Sequence, residues 1–136
     1  MTIRHPQLDV VETVPYHRWL GIASIVAEAG QASFNLPVAE HCANTFGVLH
    51  GGIIASCCDI VAYCALVSAL PHDTLAVTHG FNLSIMRPTS VGVRLRFEGR
   101  VIRKGRNVAF LDAKVLDGEN IVATAQVTKS LMKAKG

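Results

Sequence analysis

Twenty consecutive positions, Gly51 to Leu70, read GGIIASCCDIVAYCALVSAL, with a single charge and with glycine only at the first two places. Pro71 follows as a natural helix stop. The run predicts one long helix that is apolar on nearly every side. Its polar exceptions share a register, because Gly52, Ser56, Asp59 and Tyr63 stand at i, i+4, i+7 and i+11 and so form one narrow stripe. Twenty residues would also be enough to span a bilayer, but Asp59 would then lie at the midplane, where a carboxylate is costly. Strands of soluble type follow, so no membrane partner is expected.

Downstream of Pro71 the period falls to two. Phe81, Leu83 and Ile85 alternate with Asn82 and Ser84, and Val93, Leu95 and Phe97 alternate with Arg94, Arg96 and Glu98. Pro88 to Gly92 separates the two runs. After the break Arg103-Lys104-Gly105-Arg106-Asn107, Val108 and Phe110, then the offset Leu111 and Val115, carry a strand to the Asp117-Gly118 turn. Ile121 to Leu131 closes the set. Upstream, Ile22 to Ala29 and Ala32 to Leu36 flank Gly30-Gln31 as a hairpin, preceded by a short helical lead over 1–20. The expected architecture is a single α+β domain over 1–136: two strands, the helix, then a meander of four antiparallel strands. A helix apolar all round needs cover all round, and a curved antiparallel sheet of about six strands wrapped around it supplies that cover.

Composition narrows the partners. Half of the 136 residues are apolar and 17% are charged, enough for one domain to bury a full core without metals or disulfides. The formal charge of +3 is dispersed, with no run of basic residues, so no nucleic-acid partner is expected. Cys42, Cys57, Cys58 and Cys64 form no C-x-x-C pair, and no basic segment leads into an apolar run at the start of the chain. Free buried thiols and a cytoplasmic protein are the expectation. Cys57 follows His50 by seven residues on one helical face, an arrangement that suggests an activated thiol, but the helical rise separates the two by about 10 Å.

The chemistry concentrates in His41 to Asp59, HCANTFGVLHGGIIASCCD. Gly51 and Gly52 open the helix, where backbone N–H groups lack intrahelical partners and the macrodipole is positive, so a carbonyl can be polarised there. His50 either orients that carbonyl or holds the loop. The Asn44 amide holds the carbonyl or a water, or turns the chain. Asp59 is the only carboxylate in the helix; an apolar setting would raise its pKa, which suits a general base that aligns water or, alternatively, a nucleophile. Eight residues, about 12 Å of helix, separate Gly51 from Asp59, so both reach one carbonyl carbon only if the Asp comes from a second chain. A twofold dimer with antiparallel helices side by side would provide two such sites.

The pattern Asn44, Gly47, His50-Gly51-Gly52 and Asp59 resembles the active-site signature of hotdog-fold acyl-CoA thioesterases of the phenylacetate-pathway, PaaI-like, type. The resemblance extends from about Trp19 to Leu131. It implies hydrolysis of an acyl-CoA thioester to free acid and coenzyme A without cofactor or metal, in a homodimer with sites across the interface and a tendency to pair dimers. It implies further that Thr78 supplies a hydroxyl near the water. Gly52, without a side chain, lets the substrate approach the backbone, and Phe46, Leu49, Tyr63 and Phe81 are the candidate lining of the acyl pocket. Arg103, Lys104, Gly105 and Arg106, with Arg87, are the expected contacts for the phosphates of coenzyme A. His41 and His79 read as structural histidines, and Tyr16 and Trp19 as packing of the lead. Two other functions fit the same residues: a non-catalytic acyl-CoA sensor, and a thioesterase acting on acyl carrier protein. The identity of the acyl group is left open.

Overall fold

The computed structural model describes residues 4–134. The lead expected over 1–20 forms two short helices, α1 (Pro6–Thr13) and α2 (Pro15–Leu20), and its first three residues lie outside the described residues. Each helix has proline in its first turn, where the missing N–H costs nothing, and His5 Nδ1 caps α1 by accepting from Gln7 N–H at 3.1 Å. The strands β1 (Ala23–Glu28) and β2 (Gln31–Pro37) form the expected hairpin; a single 3-10 turn, Glu40–Cys42, and an ordered loop then lead into α3 (Gly51–Val67). The helix stops at Val67, three residues short of the expected Leu70. Ser68 closes it, donating to the Ala65 carbonyl at 2.7 Å and accepting from Gly30 N–H at 2.9 Å, which ties the helix end to the β1–β2 turn.

β3 (Thr74–Ile85), β4 (Arg94–Lys104), β5 (Val108–Asp117) and β6 (Asn120–Lys133) complete a six-stranded sheet in the order β1-β2-β4-β5-β6-β3. All pairings are antiparallel. The expected meander holds for β4, β5 and β6, whereas β3 lies at the sheet edge beside β6 instead of pairing with β4. Both edges of β4 are taken, one by β5 and the other by β2 through the pairs Phe34–Phe97 and Leu36–Leu95. All four of those side chains are fully buried, and the two Phe rings stack with centroids 5.3 Å apart. The segment read as a simple break, Pro88 to Gly92, is therefore a crossover. It passes over the start of α3, where Leu49 N–H donates to the Thr89 carbonyl at 2.8 Å.

The sheet wraps α3 in the hotdog arrangement. Eleven residues of α3 are buried, and those that are not are Gly51, Gly52, Ala55, Ser56, Asp59 and Tyr63, which include the whole polar stripe. At Gly99 the sheet backbone approaches the helix so closely that a Cβ would stand 2.7 Å from the Val61 carbonyl oxygen. The offset expected between Phe110 and Leu111 is absent, because β5 alternates without a break, and the one irregularity in this pairing is a bulge on β4 between Val101 and Arg103. Ala109, Leu111, Ala113 and Val115 are buried on one face of β5, and Phe110 faces out. Among the described residues no helix is long and apolar enough to cross a membrane.

Candidate active site

Two groups of candidate side chains lie along α3. The first surrounds the helix start. His50 is the N-cap, its Nδ1 accepting from Gly52 N–H at 2.9 Å, while its carbonyl accepts from Ile53 and Ile54 N–H at 2.9 and 3.2 Å. Gly51 N–H is left with no hydrogen bond among the described residues, at the positive end of a 17-residue helix. Gly52 is tied to the cap, because a Cβ there would stand 3.0 Å from His50 Nδ1. With Nδ1 accepting, the neutral imidazole carries its proton on Nε2, as a donor on an exposed ring.

The Asn44 side-chain oxygen accepts from the N–H groups of Phe46, at 2.9 Å, and Val48, at 3.3 Å. Asn44 therefore does turn the chain, and that assignment leaves its NH2 group without a partner in the loop. A cleft of about 370 Å³ opens here, lined by Asn44, Gly51, Ile54, Ile85, Arg87 and Thr89. The Thr89 hydroxyl is buried without a partner among the described residues. Arg87 stands at the exposed rim, and Phe46 projects from the loop tip, 87% exposed.

The second group sits at mid-helix. Thr78 donates its hydroxyl proton to Asp59 Oδ1 at 2.6 Å, and Lys129 Nζ donates to the same oxygen at 3.0 Å and to Thr78 Oγ1 at 2.6 Å. Thr78 and Lys129 are direct cross-strand partners on β3 and β6, so sheet register alone brings them together. The Asp59 side chain is 41% exposed and that of Lys129 only 2%. The expected apolar setting of Asp59 is thus corrected: its neighbours are a buried ammonium and a hydroxyl. Tyr63, one turn on, lies over the ammonium with its ring centre 5.4 Å from Nζ, and its hydroxyl donates to Gln7 at 3.2 Å.

Lys129 was missed in the sequence, although a signal was there. It continues the inward series Ala123, Ala125, Val127 at a period of two, and a charge on the core face of a strand needs a partner.

The Cys57 alternative fails on chemistry as well as distance. The thiol is fully buried, and burial pushes its pKa far above the ordinary range; Cys58 is likewise pushed up to about 12. His79 is engaged by Ser130 Oγ at 2.8 Å, and His41 by the Trp19 carbonyl at 2.8 Å. Tyr16 and Trp19 stack on each other yet remain 43% and 50% exposed, and the Tyr16 hydroxyl meets Ser56 Oγ at 3.0 Å beside the stripe.

The basic turn is not brought to the helix start. Arg103, Lys104, Gly105 and Arg106 lie at the opposite end of α3, where Lys104 Nζ donates to the Ala69 carbonyl at 3.4 Å.

The family model of the thioesterase superfamily matches residues 46–128, a span that includes the helix start, Asp59 and Thr78. Human acyl-coenzyme A thioesterase 13 is 26% identical, with the alignment covering 85% of this chain and 84% of that protein. A solved phenylacetic acid degradation-related protein from Ralstonia eutropha is 28% identical with a TM-score of 0.78, covering 86% of this chain and 90% of its own. The PaaI protein of E. coli shares the fold, with a TM-score of 0.85 at 21% identity over 95% of this chain and 92% of that one.

Proposed function

The chain belongs to the thioesterase superfamily, and on that premise we propose that it hydrolyses an acyl-CoA thioester to the free acid and coenzyme A, at sites completed by two copies of the chain. The observation that carries this reading is the uncommitted Gly51 N–H at the start of α3, the helix whose one carboxylate is Asp59. The thioester oxygen accepts from Gly51 N–H, assisted by the Asn44 NH2 group and His50 Nε2–H, which stabilise the negative charge that gathers as water adds. Asp59 of the second copy holds that water through Oδ2, since its other oxygen is occupied by Thr78 and Lys129. The water oxygen bonds to the carbonyl carbon, its proton passes to Asp59, and the C–S bond breaks as the sulfur takes the proton. Water and side chains suffice, so no cofactor or metal enters.

A second copy is supported by two observations. Gly51 and Asp59 lie about 12 Å apart along one helix, too far to serve one carbonyl carbon. The edge strand β3, beside Asp59, also leaves Val77, Phe81 and Ile85 exposed at 46%, 40% and 47%. Antiparallel helices about a twofold axis bring each Gly51 to the other chain's Asp59. The acyl-coenzyme A substrate is supported by the relative acyl-coenzyme A thioesterase 13. The basic turn, whose Lys104 reaches the Ala69 carbonyl just beyond the end of α3 and about 15 Å along the helix direction from Asp59, is assigned to the phosphates of coenzyme A.

The test is thiol release from phenylacetyl, benzoyl and short, medium and long acyl-CoA esters, with Asp59→Asn beside the wild type. Wild-type turnover that the variant loses by on the order of a thousandfold is expected. Tight binding without thiol release would instead indicate a sensor, and release only from acyl carrier protein would replace coenzyme A as the carrier.

A further inference from the structure

Lys129 touches none of the reacting atoms in the reaction just described, although burying an ammonium is among the costliest arrangements a fold can contain. Its side chain is 2% exposed, and Asp59 is the only carboxylate it contacts among the described residues. The directions of the three hydrogen bonds are forced. An ammonium only donates, so Thr78 Oγ1 accepts from Lys129 and must send its single proton elsewhere. That proton goes to Asp59 Oδ1, which also takes a direct bond from Lys129. Oδ1 is thereby saturated, the carboxylate plane is pinned at two points, and Oδ2 remains for water. Thr78, with its proton committed, offers the water a lone pair rather than a donor.

We propose that Lys129 is the positioning residue of this site, fixing the orientation of Asp59 and the direction of the Thr78 proton so that one carboxylate oxygen alone faces the attacking water. The inference rests on the reading of Asp59 as the group that aligns water. Lys129 touches no substrate; it acts through Asp59.

The test is a cycle of Lys129→Met, Asp59→Asn and the double variant, each followed by thiol release and thermal unfolding. Methionine keeps the apolar stem and removes the charge. Lys129→Met is expected to lower kcat on the order of a hundredfold, as expected for a misplaced catalytic group, with KM within about twofold of wild type. In the Asp59→Asn background it should change the residual rate by less than about twofold, because its route to the reaction is already gone. Unfolding reads the pair independently of activity: Asp59→Asn strands a buried ammonium and lowers the Tm, and adding Lys129→Met restores part of the loss. Should Lys129→Met fold poorly, Lys129→Gln carries the same comparison. A kcat within about threefold of wild type in the folded Lys129 variant, or rate losses that multiply in the double variant, would overturn the proposal. Full turnover by Asp59→Asn would overturn the reading of Asp59 instead, while the Tm cycle would still report the ion pair.

Discussion

The two ends of the proposed chemistry are built in opposite ways. The helix start is assembled from neighbours in the chain: within nine residues, Asn44 to Gly52, one side-chain amide turns the loop, one imidazole caps the helix, and one N–H is left over. The mid-helix site draws on α3, β3 and β6, with 70 residues between Asp59 and Lys129. The first is a backbone device, fixed mostly by local hydrogen bonds and joined to the crossover by the bond from Leu49 N–H to the Thr89 carbonyl. The second is a charged cluster that exists only when the sheet is in register. Damage to the first should therefore be separable from folding, whereas damage to the second reports on sheet and site together.

The sharpest way to exploit that contrast is Gly51→Pro. Proline is favoured at the first helical position, His50 already has the extended backbone that must precede it (φ −62°, ψ 131°), and the N–H it removes makes no bond among the described residues. The added Cβ would meet Ile85 Cδ1 at 3.3 Å, a side chain 47% exposed and free to shift, so the Tm should fall only slightly, while kcat falls about a hundred- to a thousandfold, the usual loss for one carbonyl-polarising donor. A folded Gly51→Pro variant with near wild-type turnover would remove the helix start from the mechanism.

Neutralising Arg103, Lys104 and Arg106 together should raise KM for acyl-CoA by about tenfold with kcat unchanged, and raised salt should reproduce the effect on the wild type. A salt-independent KM would reduce that turn to a solvated hairpin. A smaller effect is expected at Gly52→Ala, whose Cβ would press on His50 Nδ1 and loosen the cap. Thermal unfolding should register a loss of about 1 kcal/mol, typical of a lost N-cap.

The buried thiols act on neither site and provide a control. Burial raises Cys58 from 9.0 to about 12 and Cys64 likewise to about 12, so the folded protein keeps both protons in a range where the unfolded chain releases them. Stability from these thiols is complete below pH 9 and declines as the pH rises from 9 towards 12. Melting curves across that range should shift downwards, and a thiol reagent at neutral pH should leave the native protein unmodified.

The same contrast explains what could be read in advance. The helix, its polar stripe and the cap sequence are local patterns, legible because a period of 3.6 and a run of HGG do not depend on distant residues. The β1–β2 hairpin was legible for the same reason. The position of β3 was not, since its choice of β6 over β4 depends on which strand already occupies each edge of β4, a long-range outcome of the Phe34–Phe97 and Leu36–Leu95 pairs. The surroundings of Asp59 were misjudged from the composition of its own helix, because the ammonium and hydroxyl beside it arrive from strands 19 and 70 residues away. The distance of the basic turn from the helix start became visible only once Lys104 was found against the far end of α3.

The central claim, that one reaction centre takes Gly51 from one chain and Asp59 from another, is tested most directly by mixing two inactive proteins. Gly51→Pro and Asp59→Asn subunits, each inactive alone, would form mixed dimers in which one of the two sites has an intact Gly51 facing an intact Asp59. Random reassortment puts half of the dimers in that state, so activity should return to about a quarter of wild type. No recovery from demonstrably mixed dimers would contradict the account and return both residues to a single chain.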